Sequence, residues 1–417
     1  MKGHAYLCFV GISLLIGVGS CVRENDAFIP VLPNSILKDG DRIPVLSRPF
    51  MEGVYEITKG GNVFGGFAVL KWHGNDFSIF SEAQGCYSVM KAVSLDSVIF
   101  MEGYWRYSTN NKTGLVNMRI SKQTGAKDIL NRVAANPLIK GVYGLGEALP
   151  GVEIELKYLR PFSATVKNSN FYIMGHRSGG RNSDNLPVSE NTIEMIRYTQ
   201  NFGTTGIEID IRLTKDRVPV IYHDPDLNIR STTKGPLIGP IEDYTLNQIA
   251  NYVRLLHGER IPTLDEALTF VVDSTDLRAV WLDMKENPNA VKRVIPVQLK
   301  ALERARQKNR QIEIWIGLPT SEIIEEYLAF PNHQSVPALC ELSLDDVRKT
   351  KAVVWAPRWT LGTQVDNVQT MHDEGRKAFC WTIDDQNFLK QFIQEGDFDG
   401  LLSNYSAITA FYFYSQE

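Results

Sequence analysis

Hydrophobic and polar positions change rhythm three times along this chain. An apolar run from Ala5 to Val18, with Lys2 ahead of it, comes first. It is shorter than the roughly 20 residues that cross a bilayer core and suits the apolar segment of an export leader. Val18-Gly19-Ser20 then precedes Cys21. Small residues followed by cysteine match a bacterial lipoprotein signal, in which Cys21 becomes the lipid-bearing first residue. The alternative is an ordinary secretory cleavage with Cys21 as a bystander. Residues 1–20 are expected to be a lipoprotein signal peptide. The remainder is then lipid-anchored to a membrane surface in the bacterial cell envelope, periplasmic or surface-exposed. Residues 21–48 contain prolines and little periodicity, and read as a tether.

The second rhythm is short alternation, expected of an all-β domain over residues 49–165. Candidate strands are 53–57, 67–72, 76–80, 98–101, 115–120 and 152–156, separated by turn signals such as Gly60-Gly61-Asn62 and His73-Gly74-Asn75. An antiparallel sheet with one wet face fits, and closing it into a small barrel removes its exposed edges. A lipocalin-like barrel and a sandwich both remain open. A helical stretch around 126–134 interrupts the strands. Tyr104, Trp105 and Tyr107 are candidates to line a ligand cavity, or are packing.

From residue 166 to 417 strands alternate with helical patterns, the signature of a parallel α/β fold. Nine strands are expected: 171–176, 206–213, 218–223, 279–285, 312–318, 338–342, 353–356, 377–383 and 399–403. That is one too many for a (β/α)₈ TIM-type barrel. Thr214-Lys215-Asp216-Arg217 is too short for a crossover helix, so the second and third strands are expected to form a hairpin at one barrel position. Ser189 reads as the cap of the first helix, with Thr192, Glu194 and Tyr198 on its polar side.

Charge narrows the partner. Without residues 1–20 the chain has 43 basic and 48 acidic residues, 44 − 1 against 48, which disfavours nucleic acid but not a small phosphate ester. Cys86, Cys340 and Cys380 are too few for a disulfide framework, and the last two sit in apolar runs as expected buried thiols.

The candidate chemistry lies beyond residue 170. His176 and Arg177 end the first parallel strand, and His223-Asp224 ends the third. Period-2 geometry puts Glu208 and Asp210 on one face of Gly206–Leu213 and Ile207, Ile209 and Ile211 on the other. Two inward carboxylates cost several kcal/mol to bury unless a cation accompanies them. Asp283 adds a third, with Lys285 on the same face. Three carboxylates with water oxygens suit one divalent cation, Mg²⁺ or Ca²⁺, better than zinc. Arg177 and Lys285 offer positive charge to a phosphate. The alternative for Lys285 is an ion pair with Asp283.

These pieces, in order, resemble the glycerophosphodiester phosphodiesterase family. Its His-Arg opening, Glu-Asn-Thr helix start, Glu-x-Asp strand and Thr-Lys-Asp turn appear as His176-Arg177, Glu190-Asn191-Thr192, Glu208-Ile209-Asp210 and Thr214-Lys215-Asp216. His223-Asp224, Arg230-Ser231-Thr232, Ile261-Pro262-Thr263-Leu264, Cys380-Trp381-Thr382 and 398–404 follow. The match covers 171–410. The resemblance implies His176 and His223 as the acid/base pair, Glu208, Asp210 and Asp283 as metal ligands, and Arg177 and Lys285 as phosphate contacts. Glu190 and Asn191 brace the site, and Trp381 walls the alcohol group. The chain departs from the family at Asp283, where glutamate is usual, at Asn404, a frequent aspartate, and in a first loop lengthened from Ser178 to Pro187.

The implied reaction is metal-dependent hydrolysis of a small-molecule glycerophosphodiester to an alcohol and glycerol 3-phosphate, through a cyclic phosphate. The rivals are a related phosphodiesterase acting on lysophospholipids, sphingolipids or wall polymers, and a binding lipoprotein without catalysis. Head group and oligomeric state are not legible.

Overall fold

The computed structural model describes residues 29–285 and 289–417. The leader and Cys21 lie outside the described residues. The first strands are β1 (Asp41–Arg42), β2 (Gly53–Lys59), β3 (Phe67–His73), β4 (Asp76–Ser81), β5 (Cys86–Leu95), β6 (Val98–Arg106), β7 (Thr113–Ile120), β8 (Leu138–Tyr143) and β9 (Val152–Arg160). Each of β2–β9 pairs antiparallel with its sequence neighbours and β9 returns to β2, closing an eight-stranded up-and-down barrel. Inward residues fill it, among them Tyr55, Leu70, Ile79, Met90 and Met118.

Alternation missed β5 and β8. The start of β5 is buried on both faces, so it does not alternate. β8 is interrupted by Gly141, where a Cβ would come 2.1 Å from the Asn117 carbonyl oxygen. The expected wet face is also corrected. Val54, Val69, Phe80 and Tyr87, on the outside of β2–β5, pack against Phe202 and the last helix, Ser406–Tyr414. That helix is apolar almost all round because two barrels cover it.

The ligand-cavity reading of the aromatics fails for a similar reason. Trp105 is buried and donates to the Gly144 carbonyl at 3.0 Å, and Tyr107 donates to that of Val63 at 2.8 Å. Tyr104 points outward to the Tyr198 hydroxyl. Residues 35–48, read as tether, lie on the barrel instead. β1 pairs with the end of β5 that β4 does not reach, Ser35 bonds Glu102 at 2.6 Å, and Ile43 is buried. The helical stretch is shorter than expected, at Ala126–Leu130.

The second set comprises β10 (Tyr172–Gly175), β11 (Gly206–Leu213), β12 (Pro219–Ile221), β13 (Asp226–Leu227), β14 (Gly239–Pro240), β15 (Ala279–Met284), β16 (Glu313–Leu318), β17 (Ala338–Cys340), β18 (Val354–Trp355), β19 (Lys377–Cys380) and β20 (Gly400–Ser403). Eight parallel strands, β10, β11 and β15–β20, close through the β20–β10 and β10–β11 pairs. β12 folds back antiparallel on β11, the expected hairpin. Ile207, Ile209 and Ile211 face the outer helices, while Met174, Trp281, Trp315 and Phe379 fill the barrel. Cys86, Cys340 and Cys380 are free and buried.

The cap of the first helix is Thr192, not Ser189. Thr192 Oγ1 accepts the Met195 N–H at 2.9 Å, and Ser189 turns its hydroxyl to Glu259 at 2.8 Å. Tyr198 leaves the expected polar side because its ring closes the joint between the barrels, edge-on to Phe202.

Candidate active site

Strand register builds the acidic cluster. Asp210 on β11 sits opposite Asp283 on β15, and Glu208 opposite Trp281. Both strands turn these positions inward, so one oxygen each from Glu208, Asp210 and Asp283 lies within 4.8 Å of the others. Glu208 Oε2 accepts the Arg177 backbone N–H at 2.7 Å, and Glu208 Oε1 is buried with no partner among the described residues. Asp210 Oδ2 accepts from Asn191 Nδ2 at 2.6 Å. Asp210 Oδ1 is 2.7 Å from Lys285 Nζ, which also contacts Asp283. The lysine thus pairs with two carboxylates, combining its alternative reading with a place at the site.

One ammonium leaves three carboxylates under-compensated. Burial, then Asp210 and Asp283, push the Glu208 carboxyl well above its ordinary range. Burial also acts on Asp210, but Lys285, His223, His176 and Arg177 outweigh it and hold that carboxyl below the usual range. Adjacent carboxyls pushed in opposite directions share too little positive charge. The partnerless Glu208 oxygen and the all-oxygen donor set fit a divalent cation.

Both histidines are held through Nδ1. His223 Nδ1 is 2.7 Å from Asp224 Oδ1, and Arg230 fastens that carboxylate with Nε at 2.7 Å and Nη2 at 2.8 Å. Arg177 Nη2 lies 2.8 Å from His223 Nε2. A guanidinium only donates, so Nε2 accepts and the ring proton is on Nδ1. His176 Nδ1 is 2.8 Å from Asn404 Oδ1, while Asn404 Nδ2 donates to Asp384 Oδ2 at 2.7 Å. The carboxylate fixes which end of the amide is nitrogen, so Oδ1 accepts from His176. His176 Nε2 is 3.8 Å from Glu208 Oε2. Burial lowers the His176 pKa, with Arg177 and Lys285 adding to the effect and Asp210 and Asn404 opposing it.

Glu190 braces the same end. Its Oε1 accepts from Arg177 Nη1 at 3.0 Å and Arg230 Nη2 at 2.8 Å. Arg177 and Asn191 hold left-handed backbone, φ 51° and 55°, the local strain expected where side chains must converge. Trp381 donates to the Ala356 carbonyl at 2.8 Å and lies edge-on to Trp281, with the Arg358 guanidinium 4.7 Å from its ring centroid. All ten barrel residues expected at the site therefore lie at this end of the barrel.

Sequence reasoning passed over the partners. Read from sequence, Asp224 and Arg230 carry no role of their own, and Asp384 and Glu341 stand in no motif. Glu341 follows β17, and burial, then Asp283, push its carboxyl well above the usual range against Lys285 and Arg358. Each follows a barrel strand or its hairpin, where site groups gather. That placement was the available signal; the pairings were not.

Residues 176–407 match the family described as glycerophosphoryl diester phosphodiesterase. A glycerophosphodiester phosphodiesterase of Caldanaerobacter subterraneus is 25% identical over 243 residues, 56% of this chain and 93% of that protein. Glycerophosphodiester phosphodiesterase 1 of Mus musculus is 39% identical over 105 residues, 23% of this chain but only 29% of its own length. A crystal structure of a glycerophosphodiester phosphodiesterase from Parabacteroides distasonis aligns with 58% of this chain and 96% of its own, at 19% identity and a TM-score of 0.45. The family match takes in more than half of the chain and holds the acidic cluster and both histidines: the chain belongs to the glycerophosphoryl diester phosphodiesterase family, a family of phosphoric diester hydrolases.

Proposed function

We propose that this chain hydrolyses a glycerophosphodiester to an alcohol and glycerol 3-phosphate, using His176 and His223 as acid and base beside one divalent cation, Mg²⁺ or Ca²⁺, held by Glu208, Asp210 and Asp283. One observation carries the reading. Both imidazoles are anchored through Nδ1, which makes Nε2 of each the ring atom for proton transfer, that of His223 once Arg177 has moved off it.

A hydroxyl next to the diester attacks phosphorus and its proton passes to one Nε2. The other imidazole, protonated, gives its proton to the departing alcohol. Positioned groups of this kind contribute about 10²–10⁴-fold each. The cyclic phosphate is then opened by water with the two roles exchanged. A bound divalent cation supplies Lewis-acid stabilisation of charge on the reacting oxygens. Arg177 covers His223 Nε2, so moving its guanidinium onto the phosphate frees that nitrogen as substrate settles. In this scheme Lys285 meets the same phosphate, and Trp381 gives the alcohol an apolar wall.

The test is purified protein on glycerophosphocholine and glycerophosphoethanolamine with Mg²⁺ or Ca²⁺, and on lysophosphatidylcholine in parallel. Release of glycerol 3-phosphate, abolished by a chelator, is expected. Turnover of the lysophospholipid alone moves the substrate assignment to lipids, and no turnover with either metal removes the reading.

A further inference from the structure

The lengthened first loop is the element to which the proposed chemistry assigns nothing, and it is where the N-terminal barrel touches the site. Arg106, at the end of β6, is a charged residue only 2% exposed. No carboxylate pairs with it among the described residues. Its Nη2 instead donates to two loop carbonyls, Asp184 at 3.1 Å and Asn185 at 2.6 Å. Burying a cation is costly, and both of its acceptors belong to the loop, so the contact ties the loop to the first barrel.

Two branches run from the loop to the two histidines. In the first, Arg181 is fastened to Asp184 by Nε and Nη2, each at 3.1 Å, and lies 3.6 Å from Asp384 Oδ2. Asp384 holds Asn404, and Asn404 holds His176. In the second, the Asn182 N–H donates to Glu190 Oε2 at 2.8 Å, and the Glu190 N–H returns to Asn182 Oδ1 at 2.9 Å. Glu190 holds Arg177 and Arg230, which hold His223 and Asp224.

We propose that Arg106 is a positioning residue: through the Arg181–Asn185 loop, the N-terminal barrel sets the geometry of both histidines. This rests on the two-histidine reading above. It gives the first barrel a part in the reaction although every group that touches substrate comes from the second. Misplacing a catalytic group by about 1 Å costs up to roughly 10²-fold, so the link has room to matter.

The experiment uses the full chain with Arg106→Gln, Arg181→Gln and the double variant, each checked by thermal melting. Each folded single variant is expected to lose about tenfold in kcat on glycerophosphocholine, and the double variant little more than the worse single one, since both cut one chain of contacts. Hydrogen exchange of the amides of residues 181–191 should speed up in Arg106→Gln, a change that packing confined to the first barrel would not produce. If Arg106→Gln does not fold, Arg106→Lys replaces it, with partial loss expected. Wild-type kcat in a folded Arg106 variant, losses that multiply, or unchanged loop exchange would each overturn the proposal. If the wild type turns over no diester, the proposed function fails, and loop exchange alone still judges the link.

Discussion

At the scale of single residues, the direction of each hydrogen bond decides more than proximity does. Arg177 can only donate, so the lone pair of His223 Nε2 is defined before substrate arrives, and Asp224 keeps the ring proton on Nδ1. Replacing either His176 or His223 with alanine is expected to cut kcat by at least about 100-fold while the protein stays folded. Near wild-type turnover from either would end the two-histidine scheme. Asp283 is one methylene shorter than the glutamate that the family resemblance leads one to expect, a gap that a water or a small ion shift can fill. Asp283→Asn should therefore raise the metal concentration needed for half-maximal activity, and Asp283→Glu should keep most activity. If Asp283 serves only Lys285, the metal titration of Asp283→Asn will superimpose on that of wild type. The candidate positions were legible residue by residue because a histidine at a strand end or an acid on an inward face has few other uses. The partners Asp384 and Glu341 were not, because a carboxylate beyond a strand looks like any solvated acid until its neighbours are known.

Among elements, the β3–β4 hairpin puts a titratable ring at the joint between barrels. His73 Nε2 lies 2.9 Å from Ser78 Oγ, whose proton goes to the Asn201 carbonyl at 2.8 Å. The hydroxyl's single proton is committed to Asn201, so the imidazole donates to it. Burial, then Lys71, push the His73 pKa down to about 4. A histidine whose folded pKa is below its unfolded value of about 6.5 leaves stability intact above that value. Stability is then lost as pH falls toward 4, by at most roughly 3 kcal/mol and less for a half-buried ring. Melting temperatures at pH 7 and pH 5 should differ more in wild type than in His73→Gln, and equal differences would show that this ring does not sense pH. Alternation along β11 was readable because one face carries only isoleucine and the other only acid at its centre. β5 was not, because a strand covered on both faces has no polar phase.

For the whole molecule, two closed barrels share one apolar joint around Ser406–Tyr414, and one buried arginine crosses from the first to the site loop of the second. The expected lipid anchor belongs to this scale as well, since it would fix the first barrel and the active site to one membrane face. Expressed in a bacterium, the full chain should partition into detergent and incorporate labelled fatty acid, and Cys21→Ala should do neither. Aqueous partitioning of the unsubstituted chain would remove the anchor.

Local pattern by itself determined the parallel barrel, its extra hairpin strand and the placing of His176, Arg177, Glu208, Asp210, His223, Asp283 and Lys285 at one end, because periodicity and strand ends are properties of neighbouring residues. Glu190, Asn191 and Trp381 entered only through the family resemblance. Tertiary structure decided the rest. Outer faces of β2–β5 became dry, Tyr104 and Tyr198 met, residues 35–48 lay down on the first barrel, and Arg106 reached the loop. Each of these joins positions far apart in the chain, and burial by a distant segment leaves no periodic mark on the residues it covers.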